Sequence, residues 1–404
     1  MNRILTTHAG SLIRPPEVLS FLGKIASGQD YDADAYAECL RQSVSDIVAK
    51  QIEVGLDVID DGEVGKASWI TYLYERVSGL EVRQIEREGS MLPPSRDRQA
   101  FPGAYAALDA LDEAATRGSN AGGDAEKPPE AAAVQWVCTG PLTYDHTAVN
   151  RDIANLKAAL AQHGDEVEGF LPVVAPASAY WLENEHYASD EEFVYALADV
   201  LHEEYKAIAD SGLLLQVDDA VLMHECDSML SEGKSYEDYR AWAELRVRAL
   251  NHALEGIPQD RVRYHVCWGS WHGPHAFDPP LRDTVDLLLA VNAGYYSIEQ
   301  ANPRHEHEWR VWEEVKLPEG RKLIPGVVTH HTNVVEHPEL VAQRLTRLAK
   351  VVGGENVIGG TDCGFAQGAL IQRVHAEIQW AKLEALAEGA KLASRELWGA
   401  KAAA

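Results

Sequence analysis

Eight short runs of apolar and β-branched residues, each closed by small or polar residues and followed by a long amphipathic stretch, constrain this chain more than any other feature. Alternation of this kind is the pattern of parallel strands joined by helices. The runs fall at residues 3–7, 56–60, 171–175, 213–217, 262–267, 294–299, 323–328 and 357–361. A ninth, 134–138, is set aside, because Thr139, Gly140 and Pro141 followed by Leu142, Thr143 and Tyr144 predict a turn and a return strand. Helical spacing over 33–54, 190–210, 235–254, 281–292, 337–352 and 367–396 gives each predicted helix one apolar stripe, as in Leu340, Val341, Leu345, Leu348 and Val351. The expected fold class is α/β: a single (β/α)8 TIM barrel over 1–404, with an insertion and an extra hairpin between strands 2 and 3.

The insertion, residues 88–133, is dominated by Pro, Gly, Ser, Ala and charged residues. It has little to bury and is expected to be partly mobile. Whether it closes over a site or mediates a homo-oligomer is left open. No internal repeat is evident.

Charge and cysteine usage narrow the partners. With 36 basic against 63 acidic residues the formal charge is −27, which repels phosphate backbones and anionic lipid. No nucleic acid and no membrane partner are expected. No run approaches the roughly 18–20 apolar residues of a bilayer span, and the first residues run straight into a polar stretch, so neither an export signal nor a span is expected. Cys39, Cys138, Cys226, Cys267 and Cys363 are odd in number and scattered, which argues against a disulfide scaffold and for a reducing, cytoplasmic setting.

In a barrel of this type the working residues sit at the C-terminal strand ends. The fifth strand closes on His265-Val266-Cys267, the sixth on Ser297-Ile298-Glu299, and the eighth on Thr361-Asp362-Cys363-Gly364. Residues i and i+2 of a strand share a face, so His265 and Cys267 can turn toward one point. With Glu299 and Cys363 they would make a tetrahedral set of N, S and O donors suited to zinc. A free cysteine is also commonly a small buried hydrophobe, and spacing alone leaves both readings open. A second His-x-Cys, His224-Glu225-Cys226, is assigned to the loop after strand 4 with a structural role.

Taken together, Thr7-His-Ala-Gly10-Ser11, Gly55 through Glu63, Gln216-Val-Asp218-Asp219, His265-Val-Cys267, Ser297-Ile-Glu299, Pro325 through Thr332 and Thr361-Asp-Cys363-Gly364 resemble the cobalamin-independent methionine synthase family, specifically its C-terminal zinc barrel. The resemblance covers nearly the whole chain apart from 88–133. It implies Zn2+ held by His265, Cys267, Glu299 and Cys363, with a thiol substrate adding its sulfur to the metal. A free thiol with pKa about 8.5 is mostly protonated at neutral pH, whereas a metal-bound one is held as thiolate. The resemblance further implies that Glu63 and Asp218 hold the amino group of homocysteine, that the Gly10-Ser11 segment meets its carboxylate, and that His331 protonates the leaving group. His330 could compete for that last role. Asp60, Asp61 and Asp219 are expected to be solvated rim acids.

Several features depart from the family pattern. The usual additional N-terminal barrel has no room in this length, which puts a folate donor in doubt. The carboxylate two positions before the proton-donating histidine is replaced by Thr329. Trp268 and Trp271 lie in a lengthened loop after strand 5, either walling a pocket or packing under a lid. Asn302-Pro-Arg304-His305-Glu-His307 could form an anion clamp. These features resemble single-barrel relatives that use a corrinoid donor, or that open epoxides with coenzyme M. A sulfonate-bearing thiol would need Arg14, Lys66 or Arg304 within reach, and an amino-acid thiol needs Glu63 and Asp218. The leading expectation is zinc-dependent alkyl transfer, methyl above all, from a small-molecule donor to a small thiol. Zinc-thiolate opening of an epoxide and a zinc hydrolase or lyase are the alternatives.

Overall fold

The computed structural model describes residues 3–85, 94–118, 133–164, 167–369 and 371–399. All eight predicted runs form strands: β1 (Leu5–Thr6), β2 (Val58–Ile59), β3 (Glu168–Val174), β4 (Leu214–Asp218), β5 (Val262–Val266), β6 (Tyr295–Ile298), β7 (Lys322–Val328) and β8 (Ile358–Thr361). They pair in parallel in the order β1–β8–β7–β6–β5–β4–β3–β2. The seam between β1 and β2 is bridged by Asp57 N donating to Thr6 O at 3.0 Å and by the Thr7 hydroxyl donating to Val58 O at 2.8 Å. The result is a nearly closed (β/α)8 barrel.

The helices follow from caps as well as apolar stripes. Asp32 caps Ala33–Glu53 by accepting from Asp34 N and Ala35 N, and Ser189 caps Asp190–Asp210 through Glu192 N. Ser235 and Asp238 form a reciprocal capping box at the start of Tyr236–Ala253. Pro16–Ala26, Thr147–Leu160 and Ala220–Ser231 are among the helices that lie outside the predicted stretches. The last helix spans Ala376–Trp398, so 367–369 and 371–375 are loop rather than helix. Those freed residues reach the mouth of the barrel.

The extra antiparallel pair does lie between β2 and β3, but its arms differ from expectation. Residues Ala133–Tyr144 form one strand rather than a turn and a return; its antiparallel partner is the upstream Val77–Ile85, and its other edge pairs with Leu182–Asn184. Register jumps from Ser78 opposite Thr143 to Leu80 opposite Cys138. The Thr139-Gly140-Pro141 segment is thus absorbed as a bulge. Gly79, at φ +92°, faces the Pro141 carbonyl there with no side chain to obstruct it.

The insertion is the connection between those two arms. Its described part contains Arg96–Ala100 and Pro102–Gly118, and it buries more than composition suggested. Tyr105 and Asp97 are each only 2% exposed. Asp97 accepts from Ala276 N at 2.9 Å, Arg96 pairs with Asp227 at 2.6 Å, and the Trp271 indole donates to the Tyr105 hydroxyl at 3.3 Å. The insertion therefore braces the loop after β5. The stretches 86–93 and 119–132 fall outside the described residues.

Candidate metal and substrate site

Parallel register brings the chemistry to one rim. Asp218 on β4 stands beside His265 on β5, and His265 beside Ser297 on β6. The ligand atoms of His265, Cys267 and Cys363 lie within 4.8 Å of one another, all buried, and among the described residues they are the one group of this kind. Cys363 Sγ is 3.7 Å from Cys267 Sγ. Two sulfurs each about 2.3 Å from a tetrahedral zinc ion stand about 3.8 Å apart, so the spacing fits such an ion.

The candidate nitrogen donor shows a matching arrangement. His265 Nδ1 is 3.1 Å from Ser297 Oγ, while Nε2 is buried without a hydrogen-bond partner. A ring tied at one nitrogen and orphaned at the other is the arrangement of a metal-binding histidine. Glu299 lies outside the three-residue group, at the adjoining strand end. Its carboxylate is buried and neither oxygen makes a hydrogen bond of normal geometry. Asp362 fixes this strand end by accepting from Gln300 N at 2.9 Å and Ala301 N at 2.8 Å. Gly326 permits the approach, since a Cβ there would overlap Asp362.

The charges of the cluster strain against one another. The hydrogen bond between the two sulfurs keeps the Cys363 thiol well below its ordinary range, although burial opposes this; Cys267 is correspondingly pushed far up by Cys363 and by burial. Burial lowers proton affinity at His265, and the Cys363 sulfur, with Asp218 behind it, more than reverses this. Burial, Asp362 and Cys363 drive Glu299 well above the usual carboxylate range. A divalent cation would relieve every one of these strains.

Next to this cluster lies a cavity of about 180 Å3, whose lining includes Ser11, Glu63, Asp218, His265, Cys267 and Cys363. Glu63 adopts a left-handed backbone, φ 53°, uncommon for a residue with a side chain. Asp61 holds that turn by accepting from Glu63 N at 2.9 Å, and Asp60 accepts from Gly62 N at 2.8 Å. Asp219 accepts from the Tyr264 hydroxyl at 2.8 Å and from Ser178 at 3.0 Å. Asp60, Asp61 and Asp219 are thus buried braces, contrary to the expectation of a solvated rim, because their carboxylates satisfy local backbone and hydroxyl donors. Asp218 accepts from Gln216 at 2.9 Å, and burial pushes its carboxyl up to about 8, with His265 pulling down and Glu63 pushing up.

Ser11 packs against Gly364, immediately after Cys363. A Cβ on Gly364 would overlap the Ser11 hydroxyl and press on its backbone. Gly364→Ala is expected to destabilise the protein by about 1–3 kcal/mol, read as a lowered thermal midpoint; an unchanged melt would show that the rim yields freely.

Other expectations resolve differently. Trp271 lines the cavity, whereas Trp268 is buried, stacks on His305 at 3.9 Å and donates to Pro279 O. The 302–307 segment is an anchor and not an anion clamp: His305 is held between Asp278 at 3.0 Å and Glu308 at 2.8 Å, and Arg304 donates to Ala276 O. Arg14 and Lys66 are likewise committed to carbonyls, Arg14 to those of Lys66 and Ala366 and Lys66 to that of Pro172. The cation that lines the cavity is Arg373, hidden in sequence by the helical periodicity assigned to 367–396. His224-Glu225-Cys226 is helical rather than loop; His224 and Glu225 face the cavity, while Cys226 is buried. His331 is half-buried and outside the cavity lining, its ring 4.8 Å from that of His330 and 6.0 Å from that of His272. His330 is 1% exposed with neither ring nitrogen partnered.

Residues 132–383 match the profile of the cobalamin-independent synthase catalytic domain. The chain belongs to the cobalamin-independent methionine synthase family. A methionine synthase of Thermococcus kodakarensis is 25% identical over 56% of this chain and 58% of that protein. A 2-hydroxypropyl-CoM lyase of Xanthobacter autotrophicus is 24% identical over 91% of this chain and 88% of that protein. In fold, a B12-independent methionine synthase from Shewanella sp. W3-18-1 superposes with a TM-score of 0.68 at 18% identity, covering 98% of this chain and 99% of that one. A methyltransferase from Methanosarcina mazei gives 0.51 at 13% identity over 97% and 94%. Membership makes the chain a methionine-synthase-like transferase acting on small molecules. No helix among the described residues is long and apolar enough to cross a membrane.

Proposed function

We propose that the protein is a zinc-dependent alkyltransferase that moves a methyl group onto a small amino-acid thiol such as homocysteine. The observation that carries this is the convergence of His265, Cys267 and Cys363 on a cavity that also presents Glu63 and Asp218. His265, Cys267 and Cys363, with Glu299 from the adjoining strand end, would hold the ion. A bound zinc ion supplies the acceptor in its thiolate form at neutral pH. Two cysteinates and a carboxylate outweigh the charge of the ion, so the sulfur stays electron-rich and nucleophilic. That ligand set also leaves little Lewis acidity to activate water, which argues against a hydrolase.

The chain's own residues do the positioning. Glu63 and Asp218 receive the substrate ammonium, and the Gly10-Ser11 turn faces its carboxylate. Trp69 and Trp271 wall the cavity, excluding water from the sulfur. His331 donates the proton to the departing group. Loss of one charge-assisted hydrogen bond is worth about 1.5–3 kcal/mol, or roughly ten- to a hundredfold. Asp218→Asn and Glu63→Gln are each expected to raise KM for the thiol by that factor with zinc content intact. Loss of metal instead would place these carboxylates in the ligand sphere.

A second reading, thiolate opening of an epoxide, is favoured by the long alignment with the Xanthobacter lyase and by Arg373, a cation suited to a sulfonate. X-ray absorption of the zinc-loaded protein separates the two. An added sulfur neighbour with homocysteine but not with coenzyme M supports the amino-acid acceptor, and the reverse supports the second reading. An unchanged shell with both thiols, together with ester or amide hydrolysis, sinks the alkyltransferase.

A further inference from the structure

Behind the helix Ala220–Ser231 lies a second cavity, of about 370 Å3, that the proposed reaction does not use. Its volume falls in the range of small-molecule sites, roughly 300–1,000 Å3. The walls mix charged and apolar side chains, the apolar ones including Phe193 and Leu197 from the helix Asp190–Asp210, Met229, and Trp242.

The charged groups around it nearly cancel. Asp190 accepts from both terminal nitrogens of Arg246 at 2.6 and 2.7 Å, and that guanidinium also lies over the Trp242 ring at 4.5 Å. Lys234 pairs with Glu232 at 3.2 Å. One group is left over. Glu225 is 5% exposed, forms part of the wall of both cavities, and its Oε2 is fully buried without a hydrogen-bond partner. Such an orphaned oxygen carries the desolvation cost of burial with no hydrogen bond to offset it. Burial pushes the Glu225 carboxyl up to about 7, with Lys234 and Arg246 pulling down and Glu232 pushing up. A donor arriving from outside would complete it.

We propose that this second cavity is a small-molecule site for an organic ammonium with a short apolar body, recognised by the Glu225 carboxylate. The ammonium donates to the Glu225 carboxylate and the body covers Phe193, Leu197 and Trp242. An anionic ligand of the same shape meets an unbalanced carboxylate and is rejected. The strongly negative chain as a whole enriches cations near its surface. The proposal stands independently of the thiol chemistry.

Titration calorimetry of the zinc-loaded full chain tests it, with butylammonium as probe and butyrate and butanol as matched controls. Saturable one-to-one binding of butylammonium is expected, at least tenfold tighter than either control. Glu225→Gln is expected to weaken it at least tenfold. Because Glu225 also borders the first cavity, Leu197→Trp, which fills the second cavity alone, should do the same, with Val194→Phe as substitute should the tryptophan variant misfold by circular dichroism. Absence of butylammonium binding, equal binding of butyrate, full affinity in the variants, or one-for-one displacement by homocysteine would each overturn the assignment.

Discussion

Cys363→Ser is expected to abolish stoichiometric zinc binding and to lower alkyl transfer by roughly 10³-fold, while the barrel melts close to the parent. Removing a residue that merely orients a metal ligand already costs about ten- to a hundredfold in affinity or activity. Here the ligand itself is lost. Zinc binds thiolate sulfur far more readily than a serine hydroxyl, which stays protonated at neutral pH. Cys363 is the cysteine of the pair whose thiol is held well below its ordinary range, by its hydrogen bond with Cys267 first and by His265 after it, with burial opposing. Its loss leaves His265, Cys267 and Glu299, a set short of one thiolate donor, with His265 Nε2 still orphaned. The matched control is Cys226→Ser. That cysteine is also buried, but burial pushes its thiol up to about 12 and it stands on a helix away from the cluster. Zinc measured by plasma emission should be near one per chain in the control and far below that in Cys363→Ser. Retention of full zinc and full activity in Cys363→Ser would remove the foundation of the proposed function.

What was legible in the sequence was whatever lies at the end of a strand. Period-two side-chain alternation and the barrel rule fix which residues share a rim before any coordinates are known, and so Asp218, His265, Cys267, Glu299 and Cys363 could be gathered from scattered runs. The bottom of the same logic was invisible. Asp60, Asp61 and Asp219 look like rim acids in one dimension and become braces only when a turn curls back on them. Arg373 was masked by a helical spacing that the mouth of the barrel overrides. Composition gave no sign that Tyr105 and the carboxylate of Asp97 tie the described part of the insertion to a loop that comes some 170 residues later. Thr329 illustrates both sides. Its identity correctly signals that no carboxylate stands two positions before His331, but not that Glu336 reaches back to accept from Thr329 N at 2.9 Å and from its hydroxyl at 3.0 Å, with the buried Lys382 ammonium 2.9 Å from the other oxygen. Contacts of that kind depend on which helix packs behind the loop, and no spacing rule encodes them.

His331→Ala is expected to slow alkyl transfer by roughly 10²-fold or more while leaving thiol affinity and zinc content unchanged, as the loss of a general acid does. The structure sharpens this into a pH dependence. Burial, then the neighbouring His272 and His275, lower the His331 ring to about 4. Protonation, the form that donates, is therefore scarce at pH 7 and falls about tenfold for each further pH unit above that pKa. At saturating thiol, kcat should decline with unit slope between about pH 5 and pH 8 in the parent and be flat over that interval in His331→Ala. The sign follows from the acid role: a base of the same pKa would give a plateau above pH 5 instead. The turn that carries the ring is closed by the 3.1 Å contact between the Thr329 and Thr332 hydroxyls and tethered through Glu336 to Lys382. Glu336→Gln should loosen that tether and lower kcat without flattening the profile, since the titrating ring is still present. His330, buried with both nitrogens unpartnered, supplies the discriminating control. If His330→Ala rather than His331→Ala abolishes the pH slope, the proton comes from the neighbouring ring, and the role inferred for His331 is wrong.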